Sequence, residues 1–237
     1  MDVNMRMDIQ SLLDKSSRSH SHLCPRQILG VRLGLAGLQA LGFETPPPGK
    51  RLLVITETDG CFVSGLEAAT DCAVSHRTLR VEDYGKTAAV FIDTLNGQAV
   101  RVTPAPGLRE KALAYAPDPL NTYAGQLTAY QVMPTAEMFS ICPVALNVSI
   151  GSLVSRPGMR VSCAVCGEEI MNEREVVVDG RVLCKPCSQG GYYTELVGTF
   201  HTELVGTFHT ELVGTFQHAT DPDGQLGLFP DTLTPDT

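Results

Sequence analysis

The chain has 237 residues, of which 43% are hydrophobic and 19% are charged, and its formal net charge is −8. This length allows one or two domains with a sizeable core. The negative charge argues against nucleic acid as the main partner, because phosphate binding needs an excess of Lys and Arg. Residues 1–15 do not fit a signal peptide, and the longest largely apolar stretch, 28–43, is too short to span a bilayer. We therefore expect a cytoplasmic protein without membrane insertion, in which the eight cysteines are thiols or metal ligands.

The N-terminal region is predicted to contain two helices on either side of a His/Cys-rich loop. Apolar spacing predicts a short helix over 8–13 and a long buried helix over 25–41, whose glycines are spaced for close backbone contact. The loop between them carries His20, His22 and Cys24. Imidazole and thiolate are the side chains that intermediate metals prefer. The sequence therefore predicts a metal-capable loop at the start of a buried helix.

The middle of the chain is predicted to form a sheet with further helices. A β-branched stretch indicates a buried strand that ends at the turn Asp59-Gly60-Cys61. The next two strands are predicted to pair as a hairpin around Tyr84-Gly85-Lys86, and a third continues the meander. The predicted strands are 51–58, 79–83, 88–93, 98–103 and 146–150, and the predicted helices are 62–69, 106–115, 121–130 and 134–139.

Two C-x-x-C pairs, Cys163/Cys166 and Cys184/Cys187, are separated by seventeen residues, a spacing typical of a four-cysteine zinc site. Between them, the stretches 175–178 and 181–183 flank an Asp-Gly pair, which indicates a hairpin. A module of this size cannot bury enough apolar surface to fold unaided, so the zinc is predicted to be structural. If a helix starts at the second pair, the arrangement is a treble clef.

The C-terminal region repeats Thr-Glu-Leu-Val-Gly-Thr-Phe-His over 194–201 and 202–209, and over 210–217 with Gln217 in place of His. Identical copies are unusual for a packed solenoid, so extended or disordered structure is predicted, most simply from an accidental duplication. A metal site at the histidines of this region is the less favoured interpretation.

Five short motifs of the N-terminal region occur together in a fixed order. They are His20-x-His22-x-Cys24-Pro25 with Gly30 and Arg32, Asp59-Gly60-Cys61, Thr70-x-Cys72, Arg77-Thr78-Leu79, and Asp83-Tyr84-Gly85-Lys86. In combination they resemble the FmdE family, named after the E subunit of formylmethanofuran dehydrogenase, and the resemblance extends over about residues 8–192. The chain departs from the family pattern at Ser21, Arg26, Ser64, Glu67 and in the stretch 70–75.

The resemblance implies an α+β core domain, with a mixed or antiparallel sheet and packed helices, followed by a small treble-clef zinc finger. It also implies a homodimer and a core metal or active site formed by His20, His22, Cys24 and Cys61, with Asp59 and Lys86 as second choices. The predicted domains are the core, 1–156, the zinc finger, 157–193, and the tail, 194–237.

Three functions fit these features. The favoured one is a metal-binding accessory or oxidoreductase-associated protein, with one structural zinc, a second metal of unknown identity in the core, and a finger that docks to a protein. The second is an enzyme in which Cys24 or Cys61 is a nucleophile and His20 or His22 a base. The third is an interaction module without catalysis, which would contact protein because acidic residues outnumber basic ones in the finger.

Overall fold

A five-stranded mixed sheet, covered on one face by helices, forms the main body of the protein. The computed structural model describes residues 8–18, 20–116, 122–154 and 157–193. All elements below lie in one compact unit, Met1–Tyr192, whereas the predicted tail lies outside the described residues. The predicted boundary between core and finger stays a prediction.

The helices are α1 (Ile9–Ser16), α2 (Pro25–Ala40), α3 (Cys61–Thr70), α4 (Leu108–Ala112), α5 (Thr122–Val132), α6 (Thr135–Met138), α7 (Ile150–Val154) and α8 (Lys185–Gln189), with a 3-10 turn over Leu113–Tyr115. The strands are β1 (Leu52–Thr56), β2 (Leu79–Val81), β3 (Ala89–Asp93), β4 (Ala99–Pro104), β5 (Phe139–Pro143), β6 (Arg160–Ser162), β7 (Glu169–Met171), β8 (Val176–Val178) and β9 (Arg181–Leu183). None of the helices within the described ranges has the length and apolar character needed to cross a membrane.

The main sheet has the order β2-β1-β3-β4-β5, and the predicted hairpin between β2 and β3 is wrong. Both strands pair with β1 instead, β2 in parallel and β3 antiparallel. The reason is that α3 forms a crossover that returns the chain to the start of β1, so β2 must run parallel to it. The chain then passes over the end of β1, where the backbone N–H groups of Tyr84 and Lys86 both donate to the Glu57 carbonyl oxygen.

The last strand of this sheet was also predicted in the wrong place. β5 pairs antiparallel with β4, whereas residues 146–150 are not a strand. The apolar side chains Leu146 and Ile150 instead pack with Leu53 and Ile92 on the sheet face that the main helices do not cover. Their alternation with polar residues therefore reflects burial against this face and not strand pairing.

The predicted buried helix is confirmed as α2, which packs directly on α3. A Cβ atom added to Gly30 would lie 2.2 Å from the Phe62 carbonyl oxygen, and one added to Gly65 would lie 2.3 Å from the Gln27 carbonyl oxygen. Farther along α2, Gly34 lies opposite the later turns of α3. The two helices are thus parallel and in backbone contact, and their N-termini lie at the same end.

The four-cysteine module consists of two hairpins and a helix. The predicted hairpin is confirmed as β8 and β9, with Val176 opposite Leu183, and α8 begins directly after Cys184. The sequence did not predict the other hairpin, β6 and β7, which flanks the first cysteine pair. The sheet, the packed helices and this treble-clef-like module confirm the predicted α+β fold class.

Candidate metal centres

The four cysteines of the finger converge on one point. The sulfur atoms of Cys163, Cys166, Cys184 and Cys187 all lie within 4.8 Å of one another. The Cys166 and Cys184 sulfurs are 3.8 Å apart. Zn–S bonds of about 2.3 Å in a tetrahedron place neighbouring sulfurs about 3.8 Å apart, so the donor set fits a zinc ion that is closed to further ligands.

The backbone of the finger prepares one of these thiols for metal binding. The N–H groups of Cys184 and Val165 point at the Cys163 sulfur from 3.3 and 3.5 Å. Such backbone donors stabilise the thiolate and lower the pKa of Cys163 to about 6. The neighbouring cysteines, Cys184 above all, raise the pKa of Cys187 to about 12. A bound cation removes this conflict, because it stabilises all four sulfurs as thiolates.

In the core, the His/Cys loop is fixed to the start of α2 by a buried glutamine. Gln27 accepts a hydrogen bond from the Cys24 N–H at 2.7 Å and donates to the Ser16 carbonyl oxygen at 3.1 Å. Gln27 thereby ties the N-cap residue of α2 to the end of α1. Sequence reasoning missed this residue, although a Gln three positions after the N-cap is a recognised helix-start signal.

The second core thiol lies at the start of α3. Gly60, the residue before Cys61, has φ +74° and ψ −152°, a backbone conformation that is accessible essentially only to glycine. Because α2 and α3 are parallel, this turn places Cys61 next to Cys24. Burial and then the neighbouring Cys24 thiol raise the pKa of Cys61.

His20 completes this group. One ring nitrogen, Nε2, lies 2.9 Å from the Ser64 hydroxyl oxygen, and the other, Nδ1, lies 3.9 Å from the Cys61 sulfur. The hydrogen bond to Ser64 fixes the plane of the ring. Ser64 was noted in the sequence only as a departure from the family pattern, and no signal in the sequence linked it to His20.

The other predicted site residues lie apart from this group. The His22 ring is exposed and contacts the Ser21 hydroxyl through Nδ1 at 3.0 Å. Asp59 is exposed in the turn before α3, and the exposed Lys86 lies near the Glu57 carboxylate. Within the described residues, the finger cysteines are the one group of three or more His, Cys, Asp or Glu side chains whose ligand atoms lie this close together.

Four positions at which the chain departs from the family pattern share a location. Ser64, Glu67, Asp71 and Ala73 line one side of a cavity of about 260 Å³ between α1 and α3. On the opposite side, Lys15 forms an ion pair with Asp71. Ser64 links this cavity to His20, so the departures alter the surroundings of the core group more than its thiols.

Two family models match the chain. The model described as "FmdE, Molybdenum formylmethanofuran dehydrogenase operon" matches residues 19–140, and the model described as "Prokaryotic dksA/traR C4-type zinc finger" matches residues 158–193. The second match and the sulfur geometry together identify a structural zinc site in the finger.

A probable S-adenosyl-L-methionine-binding protein of Archaeoglobus fulgidus is 30% identical over 104 residues, which are 43% of this chain and 28% of that protein. The match thus spans less than a third of the relative. An FmdE-like protein of the tungsten formylmethanofuran dehydrogenase type, from Syntrophus aciditrophicus, has a similar solved structure, with a TM-score of 0.50 and 21% identity. That match covers 78% of this chain and 95% of the other, and it shows a shared fold.

Proposed function

Because the chain belongs to the FmdE family, we propose that it is a metal-binding accessory protein of an oxidoreductase, with a second metal ion in the core. The proposed ligands of this ion are His20, Cys24 and Cys61, and the zinc of the finger is structural. The observation that carries the proposal is the position of His20, whose Nδ1 lies 3.9 Å from the Cys61 sulfur while Nε2 is bound to Ser64.

This arrangement matches that of a metal-binding histidine. Such residues usually donate a hydrogen bond from one ring nitrogen and coordinate through the other. When Ser64 accepts the Nε2 proton, Nδ1 keeps its lone pair on the side of Cys61. In a tetrahedral zinc site, bonds of about 2.3 Å to sulfur and about 2.0 Å to nitrogen place these two atoms about 3.5 Å apart. A shift of a few tenths of an ångström would therefore bring His20 and Cys61 to ligand distance.

The thiol chemistry favours metal binding over nucleophilic catalysis. A cysteine nucleophile needs a lowered pKa so that thiolate is present at neutral pH. Burial and the Cys24 thiol instead raise the pKa of Cys61, which keeps its thiol protonated. A cation that displaces this proton reverses the balance, since metal binding to cysteine releases protons.

Elemental analysis of the purified full chain tests the core metal. We expect two metal equivalents per chain, falling to one in Cys61→Ser and in His20→Ala. Cys142→Ser is the matched control, because Cys142 is exposed on β5 away from both cysteine groups, and it should keep two equivalents. One equivalent in the unaltered protein would contradict the core metal and leave the zinc of the finger intact.

The proposal includes a docking role for the finger, a homodimer and a cytoplasmic location. The finger exposes apolar side chains at Val165 and Val177, which are 59% and 64% exposed, and this supports contact with a protein. The edge strand β5 is exposed after Phe139, which supports pairing between two copies. The presence of eight free cysteines fits a reducing compartment.

Light scattering and affinity purification test these points separately. We expect a dimer mass for the full chain and a monomer for Ile141→Lys on β5. We expect Val177→Lys to remain dimeric and to lose co-purifying oxidoreductase subunits from the native cells. A monomeric unaltered chain contradicts the dimer, and unchanged co-purification of Val177→Lys contradicts docking through this surface.

A further inference from the structure

A second cavity, separate from the core thiols, opens near the C-terminal end of α3. It has a volume of about 510 Å³ and is lined by the proline-rich loop before β1 and by the loop between α3 and β2. This volume lies within the range of about 300–1,000 Å³ that is typical of small-molecule sites. Because α3 has ten residues and rises about 1.5 Å per residue, the cavity is about 15 Å from Cys61.

One wall of the cavity is apolar and conformationally restricted. It consists of Pro46, Pro47 and Pro48, with Leu52 of β1 beside them. Consecutive prolines have fixed φ angles and little conformational entropy to lose on binding. This wall therefore offers a preformed surface for the apolar part of a ligand.

Most polar side chains of the lining are already engaged within the protein. Thr70 donates to the Leu66 carbonyl oxygen, and the Thr78 hydroxyl accepts from the Ala73 N–H. The Cys72 thiol donates to the Leu52 carbonyl oxygen, and burial raises its pKa to about 11, so it stays a neutral thiol. These groups shape the cavity and have little capacity left for a ligand.

The charged groups of the lining leave an excess of hydrogen-bond donors. The carboxylate of Asp71 is paired with Lys15. The Lys50 ammonium and the His76 imidazole, which come from opposite loops, have no hydrogen bond or ion pair with any other residue of the described ranges. The available polar groups of the cavity are therefore donors on two sides, with an apolar wall between them.

We propose that this cavity binds a small carboxylate with an apolar body. The carboxylate accepts hydrogen bonds from Lys50 and His76, and the body packs on the three prolines and Leu52. A carboxylate suits the pair because its two oxygens can each meet one donor. An ammonium compound is disfavoured by Lys50, and a neutral amide gains less because its hydrogen bonds lack the ionic contribution.

Titration of the full, zinc-loaded chain with sodium benzoate, followed by amide chemical shifts in NMR spectra, tests this site. We expect saturable shifts at Gly49 and Thr78, and affinity that falls at least threefold in Lys50→Gln and in His76→Gln. Lys111→Gln on α4 is the matched control, since Lys111 is an exposed lysine outside the cavity, and its affinity should be unchanged.

Benzamide and benzylammonium at the same ionic strength complete the test, and both should bind at least threefold more weakly than benzoate. The proposal is overturned if benzoate does not saturate, if benzamide binds equally well, or if Lys50→Gln and His76→Gln both retain full affinity. Metal content is measured in the same samples and should not change, so this result is independent of the core metal.

Discussion

Replacing Gly65 by Ala should force α2 and α3 apart and destabilise the core. The added Cβ would lie 2.3 Å from the Gln27 carbonyl oxygen, 2.6 Å from the Val31 nitrogen and 2.8 Å from the Gly30 Cα. All three are backbone atoms, so no rotation of a side chain relieves the overlap. Overpacking costs about 1–3 kcal/mol and occasionally more, and Ala restores about 1 kcal/mol of helix propensity. Because this contact is at the severe end, we expect the free energy of unfolding to fall by about 2 kcal/mol.

Urea denaturation followed by circular dichroism, with zinc in excess so that the finger stays folded, measures this loss. Gly151→Ala is the matched control, because Gly151 is exposed in α7 and the nearest atom to its added Cβ is the Ser149 hydroxyl oxygen at 3.9 Å. The control should be neutral or slightly stabilising. If Gly65→Ala lies within about 0.5 kcal/mol of the control, as surface substitutions usually do, the two helices are not held by backbone contact.

Three further changes test other parts of the structure. Cys184→Ser should remove one zinc equivalent, and hydrogen exchange should show loss of protection in β6–β9 while the main sheet keeps its protection. Arg32→Met should lower the free energy of unfolding by about 3 kcal/mol, because the buried guanidinium donates to three carbonyl groups after α5, those of Tyr130, Gln131 and Met133; Arg109→Met, at an exposed site, should have little effect. Glu57→Gln should cost about 2 kcal/mol at pH 7, because Arg101 donates two hydrogen bonds of 2.6 Å to this carboxylate and lowers its pKa. A lowered folded-state pKa stabilises the protein above the unfolded value of about 4.3, so the two proteins should converge as the pH falls below 4 through the lowered pKa, and a constant difference contradicts the ion pair.

The zinc finger was predictable because its structure is set by interactions between residues near in sequence. Two C-x-x-C turns and an Asp-Gly hairpin each form within a few residues, and a single ion then fixes their relative positions. The start of α2 was equally local, since a proline at the first helical position and apolar spacing define it.

The errors in the main sheet have the opposite cause. The segment with Tyr84, Gly85 and Lys86 has the composition of a hairpin turn, and Gly85 does have a positive φ of 63°. Its backbone N–H groups, however, bind the Glu57 carbonyl oxygen, twenty-odd residues earlier in the chain. Which strand receives such donors depends on the crossover through α3, and local composition does not encode that choice.

The core group shows how far residue types alone can lead. The sequence identified both thiols and both histidines, but His20 and His22 are only two residues apart, and the structure turns one of them toward Cys61 and the other toward solvent. The difference depends on Ser64, and the approach of Cys24 to Cys61 depends on the contact between Gly30 and Gly65, neither of which has a chemical signature of its own. Three protein ligands also leave one position of a tetrahedral ion open, unlike the closed four-cysteine site. A metal in the core as proposed should therefore exchange with a chelator faster than the zinc of the finger, because an incoming ligand can bind it before any protein ligand leaves.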